Sequence, residues 1–171
     1  MTKSVSKIKF RRRKENKTNY AKRLSMVIGG KPRIVVRKTN KYVYAQGVFF
    51  DRNGDKTEVQ ANSKELEGMG WKKAKRNTPS AYLTGLLFGT RALKKNRAEW
   101  ILDIGFNSPV HGGICFAVLK GALDAGLKIP FDEKAIPKQE RIAGKHLGGN
   151  AEADFGKIRE AILNNGGIKN G

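Results

Sequence analysis

Three short runs with the residue pattern of β-strands follow one another in the first third of the chain. Residues 33–37 have three β-branched residues at their centre, residues 42–50 are rich in aromatic and β-branched side chains, and residues 56–61 follow a turn. The pair Asn53-Gly54 suits a two-residue hairpin turn, because both residue types accept the positive φ that such turns need. The three runs therefore predict an antiparallel meander.

Helical spacing of apolar residues appears on both sides of this meander. It predicts a helix over 16–28, which two glycines end, and further helices over 79–95 and 114–125. A short apolar strand over 100–104 separates the last two helices. This alternation predicts β-α units packed on the meander, and hence an α/β fold with a mixed sheet. Two more helices are expected, an irregular one over 131–146 and a regular one over 153–163.

Positive charge is concentrated in the first quarter of the chain. The 171 residues hold 35 Lys and Arg against 15 Asp and Glu, a formal net charge of +20. Residues 1–41 hold 15 of the basic residues and a single acid, Glu15, which is a net of +14. Residues 1–15 combine mutual repulsion with few apolar side chains, so they predict a basic N-terminal arm. Such an arm becomes ordered on a polyanion, or else it is a solvated tail or an import signal.

Composition excludes several classes of function. The chain has no run of about 18 apolar residues, which excludes a membrane-spanning helix, and its first residues lack the apolar stretch of a signal peptide. The lone cysteine, Cys115, cannot close an internal disulfide, which fits a reducing compartment. With two histidines, a structural zinc site is not expected. We therefore expect no metal, no cofactor, no membrane and no small-molecule substrate.

Asp103 is the candidate for enzyme chemistry. It ends the predicted strand over 100–104, where α/β enzymes often place a catalytic carboxylate. Two-metal phosphoryl chemistry needs several carboxylates that converge on the ions. Asp51 and Asp55 flank a turn, where they are expected to be solvated. We therefore predict no catalytic residue, and the chain is not expected to be an enzyme.

The loop Gly105–Gly113 leads into a predicted helix and resembles a phosphate cradle, because free N–H groups at a helix start attract anions. It matches neither of the glycine patterns of nucleotide-binding loops. Two interpretations stay open: a plain connection from strand to helix, or a loop that holds an RNA phosphate. In the second case the donors are Asn107, Ser108 and His111.

Cations and aromatic rings share one face of the predicted meander. Successive side chains of a strand alternate between faces, so Arg33, Val35 and Arg37 lie together. One face of the second strand likewise carries Tyr42, Tyr44 and Gln46. Cations beside aromatic rings suit phosphate contact with base stacking, although cross-strand packing also explains the tyrosines. The helix before the meander adds a basic face with Lys17, Lys22 and Arg23.

The order of short motifs along the chain resembles one protein family. In chain order the motifs are Arg11-Arg12-Arg13-Lys14-Glu15, Thr18-Asn19-Tyr20, Gly30-Lys31-Pro32-Arg33-Ile34-Val35, Arg37-Lys38-Thr39-Asn40-Lys41, Pro79-Ser80-Ala81-Tyr82-Leu83-Thr84-Gly85, Leu102-Asp103-Ile104-Gly105-Phe106-Asn107-Ser108-Pro109 and Lys120-Gly121-Ala122-Leu123-Asp124-Ala125-Gly126-Leu127. Together they closely resemble the universal large-subunit ribosomal protein eighteen family in its archaeal and eukaryotic form. The resemblance runs from about Arg11 to Gly148, and the stretch beyond Gly149 matches least.

This resemblance implies a structural protein of the cytoplasmic ribosome. The family fold is a three-layer α/β/α domain with a mixed sheet and an extended basic N-terminal arm. Its members bind 5S rRNA in the central protuberance, beside the universal large-subunit ribosomal protein five and other proteins, and the arm also reaches the large-subunit rRNA. The alternative that charge alone supports is a general polyanion- or DNA-binding protein outside the ribosome.

The resemblance also implies which residues bind RNA. In the arm of residues 1–15 they are Lys9, Arg11, Arg12, Arg13 and Lys14. In the domain of residues 16–148 they are Tyr20, Arg23, Arg33, Arg37, Lys38, Thr39, Asn40, Lys41 and Gln46. Family members often carry His or basic residues where this chain has Tyr42 and Tyr44, so stacking or packing is expected there. Residues 149–171 are expected to form a C-terminal helix and tail.

Overall fold

The computed structural model describes residues 8–166, and side chains as far as Asn164. Residues 1–7 of the predicted arm and residues 167–171 of the predicted tail lie outside the described residues. Within the described range no helix is long and apolar enough to cross a membrane.

Four strands form one mixed sheet. They are β1 (Arg33–Lys38), β2 (Val43–Phe49), β3 (Lys56–Asn62) and β4 (Ile101–Asp103), in the order β3-β2-β1-β4. Strand β2 pairs antiparallel with both β1 and β3, which confirms the predicted meander. Strand β4 pairs parallel with β1, which makes the sheet mixed as predicted.

The connection between β2 and β3 is longer than the predicted two-residue turn. Phe49 pairs with Lys56, so residues 50–55 form the loop. Asp51 organises it: the side chain accepts the N–H of Asn53 at 3.1 Å, and the carbonyl accepts the N–H of Gly54 at 3.1 Å. Gly54 has a φ of 137°, whereas Asn53 keeps a negative φ. The prediction of a two-residue Asn53-Gly54 turn was therefore wrong, because the Asp51 side chain bonds the loop backbone itself.

Two helices cover one face of the sheet. They are α3 (Thr78–Lys94) and α4 (Ile114–Asp124), which start and end within one residue of the predicted positions. Helix α3 starts there because the Asn77 side chain accepts the N–H of Ser80 while the Ser80 hydroxyl accepts the N–H of Asn77. Gly85 lies against the backbone of α4, so the two helices pack closely.

The core lies between the sheet and these helices. Ile34, Val36 and Val43 point to this side and are fully buried. The rings of Phe88 and Trp100 meet edge to face, with their centroids 5.4 Å apart. Burial of this amount of apolar surface is the main favourable term in the folding of such a domain.

The C-terminal part packs on the outer side of α3. It comprises α5 (Gln139–Ala143) and α6 (Ala151–Gly166), with short 3-10 turns at Glu133–Ala135 and Lys145–Leu147. The irregular helix and the regular helix predicted in this part are both present. Tyr82 packs on Phe155 and donates its hydroxyl to Asp124 at 2.7 Å. Burial, together with the Asp124 carboxylate, raises the pKa of Tyr82 to about 12.

The opposite face of the sheet carries α2 (Tyr20–Ile28), preceded by a single turn, α1 (Arg11–Lys14). Helix α2 begins at Tyr20 and not at Asn16, because Asn16 takes a positive φ of 51° and the Asn19 side chain caps the helix. None of its residues is buried: Leu24 is 61% exposed. Helices thus lie on both faces of a mixed sheet, and the predicted α/β fold class is confirmed.

Candidate nucleic-acid interface

The face of the sheet that points away from the core is formed by alternate residues of β1 and β2. We call Arg33, Val35, Arg37, Tyr44, Gln46 and Val48 the open face. The register places Val35 beside Gln46 and Arg37 beside Tyr44. Tyr44 and Gln46 are half-buried, whereas Val43 and Ala45, which alternate with them along β2, are buried in the core. The sequence therefore predicted correctly that Arg33, Val35, Arg37, Tyr44 and Gln46 share this face, whereas Tyr42 lies before the start of β2.

Helix α2 and the open face enclose a cleft of about 420 Å³. From the helix, Lys22, Arg23 and Met26 line this cleft, and Arg12 and Lys17 line it from the segment before the helix. The cations of the helix and of the sheet thus face one another across the cleft. Six cations and two carboxylates, Asp55 and Asp103, line the cleft, so positive charge is in excess there. Such an excess in a concave surface raises the local concentration of anionic ligands.

Arg33 lies at the buried end of the cleft, where its side chain is 4% exposed. One of its terminal nitrogens donates to Asp55 at 2.6 Å, and the other donates to Asp103 at 3.3 Å. Arg23 of α2 donates to the second oxygen of Asp55 at 2.9 Å. Both carboxylates therefore already have arginine partners, and Arg33 is the least accessible of the predicted RNA-binding residues on β1.

Arg37 differs from Arg33 although the two residues share a strand and a face. Its side chain is 41% exposed, and it donates to the Val36 carbonyl oxygen at 3.0 Å. Its distance to the nearer Asp103 carboxylate oxygen is 4.0 Å. Arg37 therefore keeps donors available for a ligand at the mouth of the cleft.

The connection from β1 to β2 presents a compact polar corner. The Thr39 hydroxyl accepts the N–H of Tyr42 at 3.0 Å, and the Thr39 N–H donates to the Tyr42 carbonyl at 2.9 Å. This pairing leaves four residues exposed on the corner: Lys38, Thr39, Asn40 and Lys41. Tyr42 itself is half-buried.

The described part of the arm folds back toward α2. The Arg12 side chain donates to the Thr18 hydroxyl at 2.9 Å, and the ring of Phe10 lies 5.2 Å from that of Tyr20. Lys17 pairs with Glu15 at 2.7 Å. The five predicted RNA-binding cations of the arm are all exposed, namely Lys9, Arg11, Arg12, Arg13 and Lys14.

The predicted loop donors do not lie together with the cleft. Gly105, at the start of the loop, lines the cleft, but His111 lines a separate groove with residues 136–146. His111 donates from Nδ1 to the Lys134 carbonyl at 2.9 Å, and the Asn107 amide donates to the Ile104 carbonyl at 2.8 Å. Asn107 and His111 therefore bond the loop's own surroundings, whereas Ser108 is exposed.

The structure gives no support to a metal-dependent active site at Asp103. The Asp103 carboxylate accepts from Arg33 and from the N–H of Gly105, the latter at 2.8 Å. Among residues 8–166 there is no group of three or more His, Cys, Asp or Glu side chains that could hold a metal ion. Cys115 is buried, and burial raises the pKa of its thiol. A thiol of this kind is unreactive at neutral pH.

Asp55 has a role that its place in the sequence did not predict. Its position beside a turn predicted a solvated side chain, whereas the carboxylate joins Arg23 and Arg33. Asp55 is 32 residues from Arg23 and 22 from Arg33 along the chain. No local pattern of charges signals a contact over such separations.

Comparison with known proteins identifies the family. A family model described as ribosomal large subunit proteins 60S L5 and 50S L18 matches residues 4–101. The chain is 51% identical over 142 residues to the large ribosomal subunit protein uL18 of Caldivirga maquilingensis, an alignment that covers 82% of this chain and 69% of that protein. It is 48% identical over 140 residues to the uL18 protein of Methanoregula boonei, with 82% and 80% covered. The chain belongs to the uL18 family.

Membership of the uL18 family fixes the general role of the chain. It is a structural protein of the large subunit of the cytoplasmic ribosome, it serves translation, and it is not an enzyme. Its partners are accordingly rRNA and other ribosomal proteins. The sequence-based identification of the family is confirmed.

Proposed function

We propose that the chain binds 5S rRNA and helps to attach it to the large-subunit rRNA in the central protuberance. The observation that carries this proposal is the cleft, because cations of α2, of the arm and of the sheet converge there. Universal large-subunit ribosomal protein five and other proteins of the central protuberance are the proposed protein neighbours.

The exposure of the interface residues indicates which part of the RNA each of them contacts. The exposed arm cations and the corner residues Lys38 and Lys41 supply contacts to phosphates, which carry affinity but no sequence information. Half-buried Tyr44 and Gln46 offer an aromatic face and an amide to a base or a ribose. Contacts to the RNA backbone and recognition of the RNA's shape together then select 5S rRNA.

Competitive filter binding tests this proposal. The full chain is bound to labelled 5S rRNA at about physiological salt, with unlabelled 5S rRNA, tRNA or duplex DNA as competitors at equal nucleotide concentration. We expect 5S rRNA to compete at least about tenfold better than the other two, because specific binding exceeds non-specific binding by orders of magnitude. Equal competition by all three would overturn the proposal and leave a general polyanion-binding protein.

Deletion of residues 1–14 removes most of the arm and so measures its contribution to RNA binding apart from that of the folded domain. If the complete interface neutralises roughly 6–10 phosphates, affinity falls on the order of 10³–10⁵-fold between 50 and 200 mM salt. The truncated chain is expected to show a shallower salt dependence and to keep its preference for 5S rRNA over tRNA. An unchanged slope would contradict the role given to the arm.

A further inference from the structure

The buried guanidinium of Arg33 lies at the centre of contacts that join α2, the loop of residues 50–55 and the end of β4. Arg33 bridges Asp55, in the loop of residues 50–55, and Asp103, at the end of β4. Asp55 in turn holds Arg23 of α2, and Asp103 accepts the N–H of Gly105, where the loop after β4 begins. The result is a continuous set of ion pairs and hydrogen bonds from the helix, through the sheet, to two loops.

We propose that Arg33 and Asp55 are positioning residues, which hold α2 and the loop of residues 50–55 in fixed places over the open face and do not contact RNA themselves. The proposal rests on the function proposed above. The Arg33 side chain is 4% exposed, and its two terminal nitrogens are already paired with carboxylates. They are therefore not available as a bidentate donor to a phosphate. This assignment replaces its predicted role as a direct RNA contact.

The chemistry of arginine fits such a role. Its planar fork donates to two carboxylates at once in a fixed geometry, which a lysine ammonium cannot do. Buried ion pairs contribute little net stability, but they penalise arrangements in which a partner is lost. The link to α2 itself is the Arg23–Asp55 pair, whose side chains are 33% and 27% exposed. This link matters because α2 buries none of its residues, so apolar packing alone does not fix its position.

Asp55→Asn tests the proposal through the sign of its effect. The change removes a negative charge beside the cleft, so simple electrostatics predicts tighter binding of RNA. The positioning role predicts the reverse, roughly three- to tenfold weaker binding of 5S rRNA, because Arg23 and Arg33 lose their shared partner. Asp51→Asn is the matched control: it removes the same charge from the same loop and keeps the oxygen that accepts the N–H of Asn53. It gives up an ion pair with Lys56, which does not line the cleft. Binding by the control should be unchanged or slightly tighter.

The salt dependence of binding separates positioning from phosphate contact. Each phosphate contact contributes about 0.7–0.9 to the slope of log affinity against log salt. Arg33→Met should weaken binding without changing this slope, whereas Arg37→Met should lower it by roughly 0.7–0.9. A slope lowered equally by both variants would overturn the proposal. If Arg33→Met does not fold, as its circular dichroism will show, Asp55→Asn decides the question.

A measurement on the free chain tests the positioning role of Asp55 independently of the proposed binding of 5S rRNA. Hydrogen exchange of the free chain should show faster exchange of the α2 amides in Asp55→Asn than in Asp51→Asn, because only the first variant releases Arg23. Equal exchange in the two variants, or tighter RNA binding by Asp55→Asn, would overturn the positioning role. If the unaltered chain shows no preference for 5S rRNA, the proposed function fails, and the exchange experiment still decides whether Asp55 positions α2.

Discussion

At the residue scale, two glycines set how closely α3 and α4 approach. A Cβ atom on Gly85 would lie 2.0 Å from the Val118 carbonyl oxygen, and one on Gly121 would lie 2.0 Å from the Tyr82 carbonyl oxygen. Both neighbours are helix backbone, which cannot move aside as a flexible side chain can. The helices therefore meet in the close contact that only glycine permits at these two positions.

Gly85→Ala is expected to destabilise the fold by about 2–3 kcal/mol, because the new methyl group forces the two helices apart. Gly156→Ala in α6 is the control, since a Cβ there meets nothing within 4 Å. It should be neutral or stabilising by up to about 1 kcal/mol through helix propensity. Urea unfolding measures both variants, and equal midpoints would contradict the packing described.

The two arginines of β1 show the limit of sequence-based prediction at the residue scale. Strand alternation correctly placed Arg33 and Arg37 on one face, because side-chain direction is a local property. It did not distinguish the buried, doubly paired Arg33 from the half-exposed Arg37. That difference depends on Asp103, which is 70 residues from Arg33 along the chain.

At the scale of elements, α2 is the exception in a fold whose other long helices are packed. Its apolar residues recur at helical spacing, which predicted an apolar face, yet Leu24 and Ile28 are 61% and 76% exposed. By contrast α3 and α4 were predicted well, because the apolar positions in both helices agree with burial in the core, and in α3 the capping residues also mark the start. Spacing alone does not say whether an amphipathic helix has a partner within its own chain.

The position of α2 leads to an expectation about its dynamics. With no buried residue, its amides should exchange faster than those of α3 in the free chain, because local opening exposes little apolar surface. Addition of 5S rRNA should slow their exchange by roughly tenfold or more, since RNA in the cleft then contacts both the helix and the open face. Hydrogen exchange with and without RNA measures this change. Unaltered exchange in α2 would contradict its place in the interface.

At the scale of the whole molecule, most of the net positive charge is carried by the first quarter of the chain. Residues 1–41 carry a net of +14, and residues 42–171 carry +6. In the folded protein six of these early cations line the cleft, namely Arg12, Lys17, Lys22, Arg23, Arg33 and Arg37. The chain's order of motifs was enough to identify the family, whereas the convergence of these elements on one cleft required the three-dimensional structure.

The central claim is that RNA binds this face and not the cationic surface in general. A matched pair of charge-reversal variants tests it most directly. Arg12→Glu with Lys22→Glu alters two cations that line the cleft, whereas Lys72→Glu with Lys157→Glu alters two exposed cations outside the predicted interface. Both pairs lower the net charge by the same amount. At about 150 mM salt, we expect the first pair to weaken 5S rRNA binding on the order of 10–100-fold and the second by less than about threefold. Equal losses in the two pairs would show that net charge alone governs binding, and would contradict the account.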